Sequence, residues 1–180
     1  MNNPSINSQV FNPILDKGEK LLWTDKPHFW AFLATGVPFL IMGLCWGAFD
    51  YSVFKGATRV TPFMLFHLAP FFLSVGNIFR LLLVYQNTCY GITNRRLLFR
   101  GGFFGIDCKS IEFDKIQSLE VNINPLENVL RVGTIRAQLA SAGYNNKPQT
   151  QNFIGIVSPY DIYKKVKEAS TISRESQVLV

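Results

Sequence analysis

Residues 29–49 read FWAFLATGVPFLIMGLCWGAF, and residues 61–79 read TPFMLFHLAPFFLSVGNIF. Neither run contains an Asp, Glu, Lys or Arg. Each is about 20 residues, the length an α-helix needs to cross a bilayer core of roughly 30 Å. A short polar connector, residues 50–60, separates them. The pair reads as a transmembrane hairpin, residues 29–85, with helices at about 29–49 and 61–85 and the polar mass of the chain on one side. Burial of both runs inside a soluble protein fails on size, because the rest of a 180-residue chain is too short to wrap two such rods.

The first run is not a secretory signal. It follows a polar segment, residues 1–28, exceeds a usual h-region in length, and lacks a small-x-small cleavage site. Lys17, Lys20 and Lys26 precede it, and Arg80, Arg95, Arg96 and Arg100 follow the second run. The connector carries only Lys55 and Arg59. The basic bias places both termini in the cytoplasm of a multi-pass protein. Residues 1–12, rich in Asn, Ser and Pro, read as disordered, as does the polar tail 171–180.

Within the hairpin, Pro38 and Pro70 predict kinks near mid-helix. Gly36, Gly43 and Gly47 share one helical face, and Gly43–Gly47 is a formal G-x-x-x-G. The face serves close packing within the hairpin or between subunits, or reflects the ordinary glycine content of membrane helices. His67 is an ionisable group inside a run, with no acidic partner in either run, so a proton path is not expected. Arg80 is placed to snorkel toward the inner headgroups, and Tyr85 fits an interfacial anchor.

After Tyr85 the apolar period changes to two. Tyr90 and Ile92, Leu97 and Phe99, Ile111 and Phe113, Leu119, Val121 and Ile123, Ile135, Ala137 and Leu139, and residues 153–157 give six short strands. A helix then starts at Ser158-Pro159, with Ile162, Tyr163, Val166 and Ala169 on one face. Residues 86–170 therefore read as a β-rich unit closed by an amphipathic helix, foldable without the preceding residues.

The order Tyr90-Gly91-Ile92-Thr93-Asn94-Arg95-Arg96-Leu97, a glycine-rich turn, IEFDKIQSLEV at 111–121, LRVGTI at 130–135 and a closing Ser-Pro-Tyr-Asp helix resembles the bacterial pleckstrin-homology (PH) membrane proteins. GEKLLW at 18–23, just ahead of the hairpin, is similar to that family as well. The resemblance spans most of the chain. It implies a membrane-anchored α+β protein: a two-helix hairpin, then a PH-like small antiparallel barrel of seven strands capped by a C-terminal helix. The seventh strand is sought within residues 142–151. The resemblance implies no enzymatic activity and no cofactor.

Motif chemistry is sparse. There is no H-E-x-x-H, no G-x-S-x-G and no P-loop. The three cysteines form no C-x-x-C pair, and the two histidines are far apart in sequence. Arg95, Arg96 and Arg100 are candidate contacts for phosphate or lipid headgroups, or plain positive-inside charge. Phe103 and Phe104, in the turn GGFFG, are candidate membrane-surface contacts beside Arg80 and Tyr85, or core residues. Expected partners are membrane phospholipids and a protein partner or a second copy, not nucleic acid. The expectation is a non-enzymatic protein of the bacterial inner membrane. The alternatives are a stress-related oligomeric assembly and a small transporter subunit, the latter ill served by runs with few polar residues.

Overall fold

A computed structural model describes residues 9–142 and 148–178. Each apolar run folds as two helical segments: α1 (Phe29–Ala34) and α2 (Val37–Phe54), then α3 (Pro62–His67) and α4 (Ala69–Asn87). The expected single helices 29–49 and 61–85 are interrupted at Thr35–Gly36 and at Leu68. The prolines account for this. Pro38 and Pro70 stand in the first turns of α2 and α4, where a missing N–H leaves no intrahelical bond unmade. They break the hydrogen-bond ladder where the sequence predicts kinks, while Thr35, Gly36 and Leu68 keep right-handed helical backbone angles. α2 also runs past its apolar stretch to Phe54 and draws Asp50 out of the expected connector.

α2 and α4 are each long and apolar enough to cross a membrane. Ile41, Met42, Phe49, Phe72, Leu73 and Phe79 point away from the protein. The seam between the two helices is lined by the three glycines. A Cβ at Gly36 would meet Leu81 Cδ1 at 2.5 Å, one at Gly43 would overlap the Ser74 side chain, and one at Gly47 would meet the Phe71 ring at 2.9 Å. Side-chain-free positions at the start of α2 and along it thus let α4 approach closely.

The strands form two antiparallel sheets. The first has the order β1-β2-β3-β4 and the second β5-β6-β7. Their ranges are β1 (Leu21–Asp25), β2 (Cys89–Thr93), β3 (Arg96–Gly101), β4 (Asp107–Glu112), β5 (Ile116–Asn122), β6 (Val132–Ala142) and β7 (Pro148–Val157). No ladder joins β4 to β5, so the expected closed barrel is a pair of separate sheets. The six expected strands are present, and the seventh lies before the hairpin. It is β1, paired with β2 through Trp23–Ile92, Thr24–Gly91 and Asp25–Tyr90. Of the stretch 142–151 where it was sought, Ala142 ends β6, residues 148–151 begin β7, and 143–147 lie outside the described residues.

β1 changes the reading of the N-terminal segment. The expected boundary at residue 86 cuts through the first sheet, and residues 86–170 alone lack its outer strand. Phe11, expected in a disordered stretch, is fully buried with Cys89 and Leu98. A 3-10 turn at Asn12–Ile14 and β1 follow it. At the other end, the closing helix α6 (Pro159–Val178) continues through most of the tail expected to be disordered from 171.

The main core gathers Tyr90, Ile92 and Leu97 from the first sheet, Ile135, Phe153 and Ile156 from the second, and Ile162, Val166 and Ala169 from α6. These are the alternating strand positions and the apolar stripe of the helix. Tyr90 links the layers: its ring stacks on Phe99 and meets Phe153 edge-on, and its hydroxyl accepts the Ile154 N–H at 3.1 Å. That N–H is left over by a bulge in β7, where Gly155 takes φ +67 and its carbonyl accepts the His28 N–H at 2.8 Å. A Cβ at Gly155 would crowd that same His28 amide. A short helix, α5 (Pro125–Val129), spans β5 and β6. Its Glu127 closes a capping box with Asn124 and accepts the Thr134 hydroxyl at 2.6 Å.

Candidate functional site

Where the helical hairpin joins the β-domain, local chain geometry decides what is presented. α4 ends at Asn87, and Thr88 caps it by donating its hydroxyl to the Val84 carbonyl at 2.8 Å. β2 then leads away, the turn at Asn94–Arg95 reverses the chain, and β3 returns. The next turn, residues 102–106, comes back beside the end of α4. There the Asn87 side-chain amide donates to the Gly102 carbonyl at 3.1 Å. Gly102 has φ +146, and a Cβ on it would collide with the Gly105 carbonyl, so the tight return requires glycine.

That turn carries two phenylalanines in the open. Phe104 is 96% exposed and Phe103 37% exposed, their rings in edge contact with each other. Ile106 beside them is exposed too. Neither phenylalanine enters the core. Nearby, the Lys26 ammonium donates to the Gln86 carbonyl at 3.3 Å, placing a cation at the last turn of α4. Tyr85 packs edge-on against Phe29 and against Phe32, and Trp30 next to them is exposed. The junction is therefore ringed by aromatic side chains with a lysine among them.

The three arginines do not form one cluster. Arg95 and Arg96 sit at the turn remote from α4, whereas Arg100 stands opposite Cys89, at the start of β2. Arg95 is exposed. Arg96 is engaged: its Nε donates to Glu19 Oε1 at 2.9 Å, and its Nη2 donates to Glu19 Oε2 at 2.7 Å, Asp16 Oδ2 at 3.1 Å and the Ile14 carbonyl at 3.0 Å. The Glu19 side chain has no solvent exposure and also accepts the Thr93 hydroxyl at 2.7 Å. Burial pushes its carboxyl up. The bonds from Arg96, the Asp16 amide and Thr93, with the Arg96 charge, outweigh burial and hold it at about 2. The Glu19 bond in turn raises Arg96 further. Arg96 is a structural clamp on the N-terminal segment, which removes it from the phosphate-binding candidates.

Arg80 does not reach toward the domain end. Its guanidinium turns back one helical turn onto Asn77 Oδ1, at 3.1 and 3.0 Å, an acceptor on its own helix. His67 has the acidic partner that the sequence withheld: its Nδ1 lies 2.6 Å from Asp50 Oδ1, and Asp50 is 1% exposed. Among the described residues, no group of His, Cys, Asp and Glu could hold a metal ion.

Sequence reasoning missed Glu19, Asp50, Asn87 and Lys26. For Glu19 the signal was present in the GEKLLW segment, but its partner lies beyond the hairpin. For Asp50 the misleading signal was the end of the apolar run.

The family described as Bacterial PH domain matches residues 30–170. No curated protein matches the chain in sequence. Among solved structures, the chain is similar to a DUF1696 family protein with a pleckstrin-homology domain from Shewanella loihica PV-4. The identity is 12% and the TM-score 0.44, over 94% of this chain and 99% of that one.

Proposed function

This chain belongs to the bacterial PH domain family, and from that premise we propose that it is a non-enzymatic integral protein of the inner membrane. Its helical hairpin spans the bilayer and holds the PH-like domain on the cytoplasmic surface. The domain meets phospholipid headgroups with the tip around Phe103 and Phe104 and leaves its other faces to a protein partner.

One observation carries this reading: the Asn87–Gly102 hydrogen bond seats an exposed diphenylalanine turn against the end of a membrane-length helix. Two adjacent aromatic rings are unfavourable in water and suited to the headgroup boundary, where Lys26, Arg100, Trp30 and Tyr85 supply the accompanying charge and amphipathic rings.

A spin label at Phe104→Cys, in full-length protein with Cys45 and Cys108 changed to serine and reconstituted in bilayers, tests it. The label relaxes faster with lipid-soluble oxygen than with an aqueous nickel complex if the tip touches the membrane. The reverse preference refutes the contact. A reporter active only outside the cytoplasm, fused after Val180, stays silent if the termini are internal.

A further inference from the structure

At the end of the hairpin remote from the β-domain, α2, α3 and α4 flank an open groove of about 640 Å³. That volume lies within the usual range for small-molecule sites. Its walls are almost wholly apolar, with Leu44, Ala48, Phe54, Met64, Leu68 and Phe71 among them. Asp50 lines it as well. One carboxylate oxygen, Oδ1, is held by His67 Nδ1 at 2.6 Å, while Oδ2 is buried with no hydrogen-bond partner.

The His67 ring is fixed from several sides. Trp46 stacks on it with centroids 5.3 Å apart, Phe54 and Phe63 pack against it, and the Trp46 indole N–H donates to the His67 carbonyl at 2.9 Å. Fixing the imidazole fixes the carboxylate it holds. An oxygen acceptor nine-tenths buried and left unpaired is costly. Beside an apolar groove it is the feature that selects a ligand.

We propose that this groove binds an amphiphilic primary amine. The ammonium donates to Asp50 Oδ2, and the apolar tail fills the space between α2 and α4. A carboxylate favours a cationic donor over a neutral one, and apart from Asp50, Tyr51 and Lys55 the groove walls are apolar. Lys55, which also lines the groove, carries the opposite preference, so an anionic amphiphile is the informative control. The same head chemistry occurs on a free apolar amine and on an aminophospholipid of the surrounding bilayer. The site lies at the opposite end of the hairpin from the PH-like domain, so it stands or falls separately from the docking of that domain.

The test uses full-length protein in phosphatidylcholine nanodiscs, titrated calorimetrically with n-octylamine, n-octanol and n-octanoate against empty discs. The expected result is saturable binding of octylamine at least about tenfold tighter than octanol, with octanoate weaker still. Asp50→Asn abolishes the preference for the amine, and Ala48→Phe, which projects a ring into the groove, weakens saturable binding of all three. Phosphatidylethanolamine discs that suppress octylamine binding identify the lipid as the occupant; unchanged binding identifies a free amine. Equal affinities for the three probes in the unaltered protein, or octanoate binding most tightly, overturn the proposal without reference to any variant.

Discussion

Asp25 and Tyr90 face each other in antiparallel register, with the whole helical hairpin lying between them in the chain. β1 and β2 are therefore the two arms of a β-hairpin whose turn has been replaced by α1 to α4. Replacing residues 28–87 with a short Gly-Asn turn should give a soluble, cooperatively folding chain. A fragment beginning at residue 86 lacks β1 and Phe11, leaves Cys89 and Leu98 uncovered, and should show no cooperative thermal transition. Circular dichroism melts of the two chains check both outcomes.

The Glu19–Arg96 clamp gives acid sensitivity of a definite sign. The folded carboxyl sits at about 2, below its ordinary value of 4.5. Its contribution is fully present above about pH 5 and is lost as pH falls through the folded value, a loss on the order of 3 kcal/mol. Glu19→Gln should cost about 3 kcal/mol at pH 7 by leaving the arginine without its buried partner. It should also flatten the stability profile between pH 5 and 3. Urea midpoints of the hairpin-free chain across that range measure this.

The glycine seam predicts a contrast between two positions of one residue type. Gly43→Leu drives a side chain into Ser74 and should destabilise the full-length protein by about 1–3 kcal/mol, or splay the hairpin. Gly76, whose Cβ direction is open, should accept Leu within about 0.5 kcal/mol. Thermal denaturation in one detergent distinguishes them. Equal losses at both sites would mean that the helices do not pack through this seam.

Changing both Phe103 and Phe104 to serine should leave the melting temperature of the hairpin-free chain nearly unchanged, because neither ring is in the core. Flotation with anionic vesicles should weaken at least about fivefold, as two rings lose their apolar contact. A large drop in melting temperature would assign the pair to structure instead.

The elements behind these predictions differ in how openly the sequence displayed them. The helical hairpin was plain because two uncharged apolar runs of about 20 residues stand a short connector apart. β2 to β7 were plain because Tyr90, Leu119 and Ile135 sit in strict alternation. β1 was hidden: Leu21-Leu22-Trp23-Thr24-Asp25 is short and alternates poorly, and its partner strand lies on the far side of two membrane-length helices. Arg96 read as a surface cation for the same reason, its carboxylate being on the wrong side of the hairpin. Asp50 read as loop because hydropathy marks where apolar residues stop, not where helical hydrogen bonds stop. Phe104 had two readings that only its exposure separates.

Both roots of the helical hairpin run into the first sheet, through β1 and β2, and the first root is fastened to the second sheet as well. α1 begins at the His28 amide held by Gly155 of β7, and α4 ends at Asn87 held to the turn after β3. A change in the angle between the helices is consequently a shearing force across the layer joined by the Tyr90 hydroxyl and the Ile154 amide. The β-domain is thus held to its stem by hydrogen bonds at both roots, beyond the two chain connections. A force that spreads the stem therefore reaches both sheets through these two attachments.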